Sequence, residues 1–91
     1  MTNVIAKRKD VAVTGCASVP GGWEASGTVT NPAKGPTKYL ITIFFITSQA
    51  TVEASGMTTL DVPAHESANW RVSSDFAVSD PDTTCVLRGV G

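Results

Sequence analysis

Residues 37–48, TKYLITIFFITS, constrain this chain more than any other stretch, because they form its longest apolar run. Read at period two, Tyr39, Ile41, Ile43 and Phe45 fall on one face. Lys38, Leu40, Thr42, Phe44 and Ile46 fall on the other. The run is entered through Pro36, holds no Gly or Pro, and is crowded with β-branched and aromatic residues, which predicts a strand. A helix is disfavoured because Ile41, Thr42, Ile43, Ile46 and Thr47 would each lose χ1 freedom against the preceding turn.

Shorter alternating stretches flank this run. Val11 and Val13 oppose Asp10, Ala12 and Thr14, which predicts a first strand ending near Gly15-Cys16. Ser18-Val19-Pro20-Gly21-Gly22 has turn composition. From Trp23 to Asn31, Trp23, Ala25, Gly27 and Val29 alternate with Glu24, Ser26, Thr28 and Thr30, and Gly27 marks a bulge or a close approach by a neighbour. Asn31 to Pro36 is a loop punctuated by two prolines. After a turn near Ser48-Gln49, residues 50–62 alternate weakly around Gly56, as one bent strand or two short ones. Pro63-Ala64-His65-Glu66 is a turn, Ala68, Trp70 and Val72 point inward from the next strand, and Thr84 to Val90 is the last strand. Six or seven short strands with no helical period predict an all-β fold, an antiparallel immunoglobulin-like β-sandwich of about seven strands. Residues 10–91 form the single domain, and residues 1–9, which lack periodicity, read as a flexible leader or linker.

Seven basic and eight acidic residues give a formal net charge of −1, so no field favours nucleic acid. No apolar run approaches the roughly 18 residues of a membrane span. The two cysteines, Cys16 and Cys85, stand near opposite ends of the domain, with no C-x-x-C and a single His, which excludes a local zinc or thioredoxin-like motif. They read as a structural disulfide or as two unpaired buried thiols. A disulfide closing so long a loop contributes about 4 kcal/mol in the chain-entropy model, a large share for so small a domain. It would also place the domain outside the cytosol, extracellular or at a cell surface. MTNVIAKRKD has no apolar h-region, so a signal or anchor is expected outside this sequence.

The middle of the chain resembles a known family. Gly27-Thr28-Val29-Thr30-Asn31, a Pro/Lys loop and Tyr39-Leu40-Ile41-Thr42-Ile43-Phe44-Phe45, followed by Val62-Pro63-Ala64-His65-Glu66-Ser67-Ala68-Asn69-Trp70, resemble the FxLYD-type bacterial immunoglobulin-like domain over residues 11–90. Cys16 and Cys85 match the flanking pair of many bacterial members. The resemblance implies an immunoglobulin-like fold in a secreted or lipid-anchored protein, and it carries no catalytic residue. Three features depart from the family pattern: Thr47-Ser48 replaces an Asp, no Gly closes the hairpin that follows, and His65 stands where the family turns on Gly.

Chemical motifs are sparse. No G-x-S-x-G, H-E-x-x-H, Walker loop or dinucleotide fingerprint occurs, so no enzymatic activity and no cofactor is expected. Ser67, His65 and Asp61 have the residue types of a hydrolytic set, but they share one strand-turn-strand segment whose composition is that of a turn. Asp75, Asp80 and Asp82 offer carboxylates for calcium in a spacing that matches no EF-hand, which makes a small-molecule or calcium-binding module the alternative function. Lys7-Arg8-Lys9 is a local cluster that reads as solvated charge or as a contact to anionic lipid. Leu40, Phe44 and Ile46 stand out most, since an outward sandwich face is normally polar. Either Ile5 or another segment covers them as a satellite core, or they form an interaction surface for a protein partner or a second copy. The expected function is thus a non-enzymatic, extracytoplasmic module for protein interaction or assembly.

Overall fold

Six strands follow one helical turn in the computed structural model, which describes residues 4–77 and 81–91. The turn is α1 (Ile5–Arg8), and the strands are β1 (Val11–Val19), β2 (Gly22–Thr30), β3 (Thr37–Ile46), β4 (Val52–Val62), β5 (Ser67–Asp75) and β6 (Thr84–Val90). They form two three-stranded antiparallel sheets, β1-β2-β5 and β4-β3-β6, stacked as a sandwich. The orders are those of the A-B-E and C-F neighbours of an immunoglobulin-like sandwich. The expected all-β sandwich is therefore present, with six strands among the described residues. Residues 52–62 are one strand that slips register once, between the Phe45–Ala54 and Ile46–Val52 pairs, leaving Glu53 as the extra residue.

Period two decides what each strand buries. Tyr39, Ile41, Ile43 and Phe45 of β3 point into the core with 1% exposure or less. Val62 and Val90 join them from the flanking strands, and Val11, Ala25, Val29, Trp70 and Val72 face them from the other sheet. Each large apolar side chain buried this way contributes roughly 1.5–3 kcal/mol. Gly27 sits where a Cβ would strike the Ala12 carbonyl and lie 2.7 Å from Trp70 Cζ2, so its role is the close approach. The indole then fits beside β2 and donates from Nε1 to the Thr28 carbonyl at 3.1 Å. The bulge is in the partner strand: β1 slips between Val13 and Gly15, leaving Thr14 over. That slip breaks the alternation, and it explains why β1 runs on to Val19 beyond the predicted end at Gly15-Cys16.

The connections are set by a few polar and backbone features. Val19-Pro20-Gly21-Gly22 joins β1 to β2, with Gly21 at φ +83° behind a proline, as a type II turn requires. Asn31 closes the opposite end. It is fully buried, and its Nδ2 donates to the carbonyls of Val62 (2.9 Å) and Gly35 (3.0 Å), with a longer contact to Pro63. Its Oδ1 accepts from Ala33 N–H at 2.9 Å and from the Thr37 hydroxyl at 3.3 Å. One side chain therefore ties the β2–β3 loop to the end of β4. In the β3–β4 hairpin, Thr47 Oγ1 accepts from the N–H groups of Gln49 and Thr51, and Ala50 takes φ +65°. In the β4–β5 turn, His65 takes φ +60°. Ala50 and His65 thus fill left-handed positions at the two places where the chain lacks the glycines of the FxLYD pattern.

The sheets are joined differently along their two seams. On one, β4 meets β5 closely: a Cβ on Gly56 would lie 2.7 Å from Val72 Cγ1 and 3.4 Å from the Ser73 carbonyl. On the other, β1 meets β6, and Cys16 and Cys85 form a disulfide with a Cα–Cα distance of 5.8 Å across 69 residues of sequence. Trp23 Nε1 points at Cys16 Sγ from 3.2 Å. Residues read from sequence as a leader lie against this seam. Val4 N–H donates to the Val90 carbonyl, and the Arg8 guanidinium donates to the Leu87 carbonyl at 2.6 Å. A four-residue turn has too short a period to register in sequence, and its anchors are backbone carbonyls, which sequence does not display.

Replacing His65 with Gly is expected to raise stability by up to about 1 kcal/mol in denaturant titration, because Gly carries no Cβ penalty at positive φ. Asn31→Ala is expected to cost about 3 kcal/mol, since it strands the buried Val62 carbonyl and removes the bonds to the part-buried Gly35 carbonyl and Ala33 N–H at once. An Asn31→Ala protein with unchanged midpoint and slope would show that the loops hold without it.

Candidate interaction surface

The outer face of the β4-β3-β6 sheet is built by the second period of β3. Leu40, Thr42, Phe44 and Ile46 project from it. In register, Thr59, Met57, Ser55 and Val52 of β4 lie beside these four residues in turn. Gly91, Gly89, Val86 and Thr84 lie beside them on the other flank. Met57 is 63% exposed, Val52 49% and Val86 40%, while Leu40, Phe44 and Ile46 are half-buried among them. Six large apolar side chains thus share one face. Arg88, the residue left over where β6 slips register, holds its guanidinium 5.7 Å from the Phe44 ring centroid, in cation–π range.

Ile5 does not cover this face, because it is 81% exposed on α1. The opposite outer face of the sandwich is polar. It presents Glu24, Ser26, Thr28 and Thr30 with Asn69, Arg71 and Ser73 beside them. Arg71 pairs with Glu24 at 3.4 Å, and Thr30 Oγ1 meets Ser67 Oγ at 2.9 Å. The two outer faces of one small domain therefore have opposite character.

Sequence reading identified Leu40, Phe44 and Ile46 but missed Val52, Met57, Val86 and Arg88. The missing signal was register. Once Gly56 is known to pair with Ile43 on the core face, Met57 must face outward. The slips at Glu53 and Arg88 then decide the sides of Val52 and Val86, and neither slip leaves a mark in composition.

The other candidate residues are scattered. His65 is exposed in its turn, Ser67 is engaged with Thr30, and Asp61 lies across from Lys38. No hydrogen bond joins His65 to Ser67 or Asp61 among the described residues. Asp75 ends β5 opposite Gly22, Asp82 lies in a turn before β6, and Asp80 lies outside the described residues. Among the described residues, no three His, Cys, Asp or Glu side chains are grouped to hold a metal ion. No helix of the described residues is long and apolar enough to cross a membrane.

A shallow hollow of about 360 Å³ opens at the Asn31 end, lined by Lys7, Lys9, Asp10, Pro32, Ala33 and Tyr39 among others. There the Tyr39 hydroxyl donates to the Asp10 carboxylate at 3.0 Å, and Lys7 Nζ sits 5.9 Å from the ring centroid while donating to the Lys38 carbonyl. Burial, then the hydrogen bond and negative charge of Asp10, push the Tyr39 hydroxyl up to about 12. No protein-family model, no curated protein and no solved structure matches this chain.

Tyr39 is the only tyrosine, so absorbance at 295 nm reads its ionisation alone. Its folded pKa lies above the ordinary value near 10, so the stabilisation is fully present below about pH 10 and is lost as pH rises toward 12. Spectrophotometric titration of the folded protein is expected to show a delayed transition. Tyr39→Phe should lower stability at neutral pH by about 1–2 kcal/mol and flatten its fall between pH 10 and 12. A phenolate appearing near pH 10 in folded protein would contradict the Tyr39–Asp10 arrangement.

Proposed function

We propose that this domain is a non-enzymatic association module of an extracytoplasmic protein, and that it binds protein through the outer face of β4-β3-β6. The observation that carries the reading is the clustering of six apolar side chains, Leu40, Phe44, Ile46, Val52, Met57 and Val86, on one outer face of a sandwich whose other outer face is polar. Monomeric soluble domains seldom leave so contiguous a patch in water, and an aromatic under an arginine is the residue pair enriched at interface centres. The face carries Arg88 over Phe44 and, at its end, Lys38 opposite Asp61, so its charges nearly balance and a second copy meets no strong repulsion across a two-fold axis. The Cys16–Cys85 disulfide supports an oxidising compartment, and the resemblance to FxLYD-type domains supports a secreted or surface-tethered parent.

The test separates the two faces of β3. Self-association in the micromolar range is expected from side chains that each contribute roughly 1.5–3 kcal/mol when buried, set against the cost of association. Phe44→Ser should weaken association at least tenfold and lower monomer stability by no more than about 1 kcal/mol. Phe45→Ser, in the core, should cost about 3–5 kcal/mol or unfold the domain. Sedimentation equilibrium with thermal melts of both variants reads the two effects. A strictly monomeric wild type that also captures no partner through this face would overturn the reading, as would a Phe44→Ser variant as unstable as Phe45→Ser.

A further inference from the structure

Charge is unevenly placed along the sandwich, and the imbalance falls at one end of it. β2, β4 and β6 finish at that end, β1, β3 and β5 start from it, and α1 and the loop 31–36 lie over it. Lys7, Arg8 and Lys9 come from α1 and its C-cap, Lys34 from the loop, and Lys38 from the start of β3. These are five of the seven Lys and Arg residues. The other two, Arg71 and Arg88, lie within β5 and β6. Three acids share the end. Asp10 accepts from the Tyr39 hydroxyl, Asp61 lies across from Lys38, and Glu66 stands in the β4–β5 turn. The end is therefore net positive on a chain whose formal charge is −1.

The cations are neighbours in space. Lys7 and Lys9 line the same shallow hollow as Pro32 and Ala33, which brings α1 beside the loop that carries Lys34. Lys7 Nζ donates to the Lys38 carbonyl, which ties α1 to the start of β3. Lys9, Lys34 and Lys38 are exposed. An apolar tip stands among them. Ile5 is 81% exposed, more than any other large apolar residue among the described residues, and Val4 and Ala6 on either side of it are exposed as well. A water-soluble polyanion would satisfy the cations and leave Ile5 in water. A bilayer with anionic headgroups takes both: the charged groups stay at headgroup level and the apolar side chain enters the acyl boundary.

We propose that this end of the domain docks on an anionic lipid surface, with Ile5 inserted and Lys7, Lys9, Lys34 and Lys38 among the headgroups. The acids of the far end, Glu53 and Asp75 among them, lie a strand length away. That is well beyond the roughly 8 Å over which charge is felt at physiological salt, so they do not oppose the contact. The attachment is end-on, and it leaves the outer face around Phe44 open to a protein partner. Binding through a few charges and one apolar tip is reversible and salt-sensitive.

The test is co-sedimentation of the full chain with sucrose-loaded vesicles of equimolar phosphatidylglycerol and phosphatidylcholine, at low ionic strength, against vesicles of phosphatidylcholine alone. Partition onto the anionic vesicles is expected to be at least tenfold stronger and to fall as salt is raised. The Lys9→Gln/Lys34→Gln double variant removes two exposed charges and should weaken it at least fivefold. Arg71→Gln, which removes a charge from the middle of β5, should leave it unchanged. Ile5→Ser should weaken it at least threefold, and Phe44→Ser should have no effect. Failure to sediment with the anionic vesicles, or equal partition onto both kinds, would overturn the proposal. So would a loss in Arg71→Gln as great as in the double variant, because net charge and not this end would then decide. Undiminished binding by Ile5→Ser would overturn it as well, and displacement by soluble polyphosphate would then mark a polyanion site. Loss of binding in Phe44→Ser would overturn it by placing the lipid contact on the apolar face.

Discussion

A β-strand has two faces and a sandwich has one core, so a strand that is apolar on both sides needs two covers. β3 is such a strand. The set Tyr39, Ile41, Ile43 and Phe45 is buried, and that choice fixes the rest of its sheet. It places Gly56 and Leu87 beside Ile43 and sends Leu40, Phe44 and Ile46 outward. A one-residue slip would exchange the two sets. The tyrosine helps to hold the register, because only in the observed one does its hydroxyl reach Asp10 at the start of β1. The apolar outer face is thus a direct consequence of how the core is specified, and polar replacements there would leave the core set intact.

How far sequence reading reached follows from this geometry. Strands that keep strict alternation, β2, β3 and β5, were legible together with their inward residues, since period two is written into the chain. Strands that slip were harder to read. The extra residues Thr14, Glu53 and Arg88 each reverse the alternation beyond them, so β1 was read short, β4 was left as one strand or two, and β6 was bounded correctly at Thr84–Val90 without its sides being assigned. Cys16 and Cys85 were recognisable as a pair by position alone. Asn31 was not recognised as a buried anchor. Its importance lies in bonds to Gly35 and Val62, and backbone carbonyls carry no mark in the sequence. Among the described residues the two non-glycine positions at positive φ, Ala50 and His65, are turns where a glycine would carry no Cβ penalty and this chain supplies something else.

The polar outer face of β1-β2-β5 shows what a solvated sandwich face looks like in the same molecule. Glu24 pairs with Arg71, and Thr30 pairs with Ser67, across neighbouring strands. The β4-β3-β6 face has the same strand count and a different solution: its apolar side chains lie beside one another, and Arg88 lies over Phe44. A solvated face saves desolvation, whereas an apolar face pays only when something covers it.

The two seams extend the same reasoning from faces to edges. Where β4 meets β5, Gly56 lets the strands approach so closely that nothing further fits. Where β1 meets β6, a disulfide holds one end, and the space beyond it leaves inward-pointing Val13 partly in water. A covalent clamp and a tightly packed seam both keep two sheets together, but they differ in what they allow beside them. The packed seam fills its own gap. The clamped one sets a spacing and leaves the gap to be filled by other means, here by a helical turn that reaches β6 through Val4 and Arg8. Because the clamp is covalent, the spacing of β1 and β6 is set by the disulfide itself and not by how completely the side chains beside it are packed.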